Sequence, residues 1–154
     1  MLEEERGGPE RKAALEPGES MVLGWLRVRL EGVESFERLQ DRIRPGRPPT
    51  AADIAVGAFE PWFLVLATHC RRDLYLHRQA CPCVSKDERR LLDLLAHLQA
   101  GKPSEAHRCA VSLVYDRAVI ALLGASVTLA EALSRMQLPR ASPTTMAPMA
   151  SQLH

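Results

Sequence analysis

The sequence predicts a mainly α-helical fold: a small antiparallel bundle of three to four helices with disordered termini and a possible short N-terminal strand. Three observations predict it. Residues 85–101, SKDERRLLDLLAHLQAG, carry leucines at helical spacing between a capping serine and a glycine stop. Residues 118–130, AVIALLGASVTLA, form an apolar run closed by Arg117 and Glu131, which reads as a buried helix. Prolines and glycines fall between the periodic segments, where they end helices.

The chain has 154 residues and 46% hydrophobic content, enough for one domain with its own core. Residues 1–19 are rich in charge, Gly and Pro, and residues 139–154 have few large apolar side chains, so both are expected to be disordered. The helical domain is then residues 20–138. Within it, Leu26, Val28 and Leu30 alternate with Arg27, Arg29 and Glu31, which is strand periodicity over 22–31; a continuous helix from Ser20 is the alternative. Val33, Phe36, Leu39 or Gln40, and Ile43 fall at helix spacing and predict a helix over 32–43, which RPGRPP at 44–49 ends.

Thr50 with Asp53 resembles a capping pair and starts a helix over 51–59. Pro61 interrupts it and starts a second piece, through Trp62, Phe63, Leu66, Cys70 and Leu74 to His77, so that the two form one kinked rod. Ser85 caps the leucine helix, in which Leu91, Leu94, Leu95 and Leu98 make the inward stripe, and Gly101 stops it. Ser104 and Glu105 open a last helix through Cys109, Leu113, Ile120, Leu123 and Val127 to about residue 137. Leu95 and Ile120 are both expected in the core.

With 20 Lys and Arg against 19 Asp and Glu, the formal charge is +1, which argues against a nucleic-acid partner. The apolar run at 118–130 is shorter than the roughly 20 residues needed to cross a bilayer, so no membrane span is expected. The start of the chain is charged rather than apolar, which predicts no secretory signal, a cytoplasmic location and four reduced thiols. GRPP and AGKP are too short for a phosphate loop, and Ser85 beside Lys86 does not make a nucleophile and base. An enzymatic role is not expected.

The stretch THCRRDLYLHRQACPC, residues 68–83, holds three of the four cysteines and two of the five histidines. Thiolate and imidazole are the ligands zinc selects, four of them making a closed structural site. His77 and Cys81 are one helical turn apart and Pro82 can fold Cys83 back, so His77, Cys81 and Cys83 are the first candidate metal ligands. The fourth is Cys70, if the helix unwinds near Tyr75, or Cys109, if the last helix packs alongside. An iron–sulfur cluster would instead use Cys70, Cys81, Cys83 and Cys109. HRQACPC resembles the His-x3-Cys-x2-Cys pattern of zinc-binding anti-sigma factors, with a second gap of one residue instead of two; over seven residues this implies metal chemistry and no kinship. Cys81-Pro82 likewise resembles haem-responsive Cys-Pro dipeptides.

The same residues also have structural readings. Cys70 and Cys109 lie on apolar helix faces and fit a plain core, His69 can pair with Asp73, and His97 and His107 fit solvated surfaces. Asp87, Glu88 and Asp93 alternate with Arg89 and Arg90 and read as a solvated helix face. The leading expectation is a regulatory or accessory protein that binds zinc or senses redox state through this cluster and acts by protein contact. The alternative is a metal-free helical interaction module, possibly a homodimer through the apolar face of residues 109–133.

Overall fold

The computed structural model describes residues 10–40 and 50–136. Among them are six α-helices: α1 Pro17–Glu31, α2 Val33–Gln40, α3 Ala51–His69, α4 Lys86–Gln99, α5 Pro103–Leu113 and α6 Val119–Ser134. Two short strands, β1 Glu10–Arg11 and β2 Cys83–Val84, pair antiparallel with Glu10 opposite Val84. The antiparallel helical bundle expected from the sequence is what forms, with more helices than three or four.

Residues 22–31 are helical, which corrects the strand reading; the helix starts at Pro17 and ends at Glu31, so it is not the continuous helix from Ser20 of the alternative either. Pro17 occupies the first turn of α1, and Glu16 and Glu19 cap it reciprocally. Val22, Leu23, Trp25 and Leu26 are all buried, a three-to-four spacing that the local alternation of 26, 28 and 30 concealed. Leu30, counted as inward by that alternation, is 48% exposed. Gly32, at φ 153°, supplies a backbone conformation other residues avoid and separates α1 from α2. In α2, Phe36 is buried and Val33 exposed, while Ile43 and the RPGRPP segment lie outside the described residues.

The N-terminal boundary also moves. Residues 10–19 were expected to be disordered, yet β1 pairs with β2, Leu15 is buried, and Arg89 of α4 binds both Glu10 and Glu19. Residues 1–9 and 137–154, and with them the expected C-terminal disorder, lie outside the described residues.

Helix α3 begins as expected, with the Thr50 hydroxyl accepting from Asp53 N–H and the Asp53 carboxylate accepting from Thr50 N–H. It then runs through Pro61 without a break. Proline cannot donate to the carbonyl four residues back and crowds it, but that residue is Gly57, and both Gly57 and Pro61 face outward, where the freed carbonyl can meet water. The helix stops at His69, eight residues before the expected end at His77. Cys70 turns extended and bridges Val114, with Arg71 N–H donating to Leu113 and Tyr115 N–H to His69.

That bridge also splits the expected last helix in two. Val114 and Tyr115 are extended, Asp116–Ala118 make one 3-10 turn, and α6 starts in a new phase. The rephasing puts Val119, Leu122 and Leu129 inside and leaves Ile120 77% exposed, which corrects its assignment to the core; Leu95, at 3%, lies where expected.

Phe59 is the centre of the core, with the rings of Trp25, Phe36, Trp62 and Phe63 all within 6 Å of its centroid. Trp62 Nε1 donates to Ser126 Oγ at 3.0 Å, and Ser126 Oγ donates to the Leu122 carbonyl at 2.6 Å. With Tyr115 N–H on His69, this bond makes α3 and α6 an antiparallel pair. Ala51–His69 and Asp116–Ser134 are each long and apolar enough, by length and composition, to cross a membrane, a longer stretch than residues 118–130 suggested. Core helices pass the same test, and these two bury Phe59, Trp62, Leu122 and Leu129.

Candidate functional site

The metal or redox reading rests on Cys109 and on residues 70–83, and in the structure the stretch 70–84 makes its contacts largely through its backbone. After α3 the chain forms an extended strap that wraps the N-terminus of α4. The free N–H groups at that helix start are capped by Ser85, whose hydroxyl accepts from Glu88 N–H and donates to the Tyr75 carbonyl. The two acids in the first turn reach outward to the strap: Asp87 accepts from Tyr75 N–H and Glu88 from His77 N–H. Asp87 and Glu88 are 5% and 0% exposed, so they are not the solvated face read from their alternation with Arg89 and Arg90.

Glu88 meets Arg27, which projects from the buried side of α1. Arg27 Nε and Nη2 form a two-pronged pair with the two carboxylate oxygens at 3.0 and 2.9 Å. The remaining N–H groups go to the turn: Nη1 to the Cys81 carbonyl at 2.8 Å and Nη2 also to the Cys83 carbonyl at 2.7 Å. Lys12 N–H takes the Pro82 carbonyl at 2.7 Å. Every carbonyl of Cys81-Pro82-Cys83 is thus an acceptor, and what the turn contributes is its backbone.

The two acids are held charged. The Arg72 bond is the main influence on Asp87 and lowers its pKa. For Glu88, burial alone would raise the pKa, but the Arg27 guanidinium and the N–H groups of Ser85 and His77 outweigh it and hold the carboxyl below its usual range.

The five predicted ligands do not come together. Cys70 ends α3 and lines an apolar groove with Leu26, Phe63 and Leu66. His77 gives its N–H to Glu88 and sets its ring edge-on against Tyr75. Cys81 closes a turn onto the Arg78 carbonyl, and Cys83 Sγ lies 3.7 Å from Arg11 Nη1. Cys109 donates its thiol proton to the Arg90 carbonyl, and burial, helped by the nearby Asp93 charge, pushes its pKa up to about 11. Among the described residues no three His, Cys, Asp or Glu side chains are placed to hold one metal ion. His69 does not pair with Asp73, because the helix ends between them; its Nδ1 is buried without a hydrogen-bond partner among the described residues.

Because the turn works through its carbonyls, Cys81→Ser and Cys83→Ser are each expected to change stability by no more than about 0.5 kcal/mol, the usual range for substitutions that remove no buried group. Urea denaturation of the two variants beside the parent checks this. A loss of several kcal/mol in either would mean the thiols themselves hold the turn.

The other feature able to act on a partner is on the opposite elements. On α3 the exposed positions Ile54, Gly57, Pro61, Leu64 and Thr68 form one stripe without a charge. On α6 the exposed Ile120, Gly124, Val127 and Thr128 form a second, reaching its first charge at Glu131. Sequence reasoning did not single out the α3 stripe, since it named only the inward residues Trp62, Phe63 and Leu66 of that helix and left Ile54 and Leu64 unassigned. The chain matches no family model, no curated protein and no solved structure.

Proposed function

We propose that the protein is a metal-free helical interaction module that pairs with a second copy of itself through the exposed faces of α3 and α6. One observation carries the reading: the two most apolar helices pack together and still present Ile54, Leu64, Ile120 and Val127 to solvent, at 40% to 77% exposure. Exposed apolar faces of this kind mark association surfaces in soluble proteins. A face without charge is complementary to itself, which a twofold interface requires. Glu60 and Arg29, the charges nearest the middle of α3, are already bound to each other.

The zinc or iron–sulfur reading of Cys70, His77, Cys81, Cys83 and Cys109 has less support, since those side chains serve separate contacts. Metal analysis of protein purified without chelator separates the two, and one metal ion per chain would reinstate it.

The surface is tested by Leu64→Lys and Ile120→Lys, singly and together, with sedimentation velocity and circular dichroism. The parent is expected to sediment as a dimer, and the double variant as a monomer with unchanged helicity. A parent that remains monomeric at high concentration, or a dimer indifferent to both lysines, rejects this face.

A further inference from the structure

A separate surface lies between the strap and α1. Leu26, Phe63, Leu66 and Leu91 form the buried floor of an open groove, and Leu30, Leu74 and Leu76 form its walls. Its volume is about 260 Å³. Apolar cavities of about 150 Å³ accept a benzene ring, so this one has room for one or two aliphatic side chains. Past Leu30 and Leu76 the groove continues into a polar half lined by Glu31, His77, Arg78 and Gln79.

The apolar half is lined by a single charged side chain, the acid Asp73, and by no base. Asp73 lines that half, is exposed, and its carboxylate enters no ion pair or hydrogen bond among the described residues. Glu31 stands at the C-terminal end of α1, where helix carbonyls already concentrate negative potential and a cation is favoured. The one basic residue in that last turn, Arg29, is taken by Glu60 at 3.0 Å. Glu31 and Arg78 both line only the polar half, and Arg78 pairs with neither acid. A fatty acid seated in the apolar half would bring a carboxylate to Asp73, with no base lining that half to receive it.

We infer that this groove docks a basic amphipathic segment of another protein, whose paired aliphatic side chains enter between Leu30, Leu74 and Leu76 while a Lys or Arg one turn away meets Asp73. Charge complementarity identifies the occupant and the leucine floor supplies the burial. This surface is distinct from the α3 and α6 stripes.

The test uses two synthetic amphipathic helical peptides with the same leucine pattern, one with lysines and one with glutamates on the polar face, titrated into the isotope-labelled full chain. Amide shifts for residues 26–31 and 66–76 with the lysine peptide, and at least tenfold weaker binding of the glutamate peptide, are expected. Asp73→Lys should reverse the peptide preference, and Leu30→Glu should abolish binding without loss of helicity. No saturable binding of either peptide, equal binding of both, an unchanged preference in Asp73→Lys, or shifts centred on the α3 and α6 stripes would each overturn the inference.

Discussion

Glu88→Ala is expected to destabilise the fold by about 3 to 5 kcal/mol, the cost of leaving one member of a buried ion pair without its partner. Arg27 and Glu88 have side chains 1% and 0% exposed, so the guanidinium cannot turn to water when the carboxylate is removed. The damage spreads, because Glu88 also accepts from Ser85 and His77 and so holds both the helix cap and the strap. Against a total stability of about 5 to 15 kcal/mol, such a loss is readily measured as a fall in the denaturation midpoint. Replacing both partners with apolar residues, Arg27→Met with Glu88→Leu, is expected to recover part of the loss, since no charge is then stranded. The same pair sets an acid limit. A carboxyl whose folded pKa lies below its unfolded value stabilises at pH above the unfolded value and loses that contribution as pH falls through the folded one. Glu88 and Asp87 both shift downward, so stability is expected to fall below about pH 4.5, the ordinary glutamate value, and less steeply in Glu88→Gln. Equal stability of Glu88→Ala and the parent would show that the pair is not what joins α1, the strap and α4.

What the sequence made legible was local. The Thr50–Asp53 pair, the Ser85 cap, the leucine stripe of α4 and the stop at Gly101 are each set by residues within one or two turns, and all appear as expected. The misreadings came where a distant partner decided. Nothing near Cys70 stops a helix; the bridge to Val114 does, and the same bridge breaks the last helix and rephases Ile120 outward. The serine-x-x-glutamate box already placed Glu88 at the third helical position, facing back to its cap. Arg27, one residue after Leu26 and four after Leu23, was the matching signal: a charge on an apolar helical face calls for a buried partner. The cysteines drew attention by their side chains, whereas two of them are bonded here through their carbonyls.

The second large effect concerns the α3 and α6 contact. Trp62→Ala is expected to cost about 3 to 5 kcal/mol, because it empties the largest fully buried side chain in the core and removes one of the rings around Phe59. Part of that cost belongs to the indole N–H. Ser126→Ala keeps the ring but strands its donor, and is expected to cost about 1 to 3 kcal/mol. Ile120→Ala, six residues earlier on the same helix, is expected to stay within about 0.5 kcal/mol, since a side chain 77% exposed gives up little on truncation. Urea titration of the three variants at low protein concentration reads the order directly. A costly Ile120→Ala beside a mild Trp62→Ala would restore the unbroken last helix and its original inward face. The expected order instead makes the break at Val114–Tyr115 responsible for both results, since it aims Ser126 at Trp62 and turns Ile120 outward on the surface proposed for association.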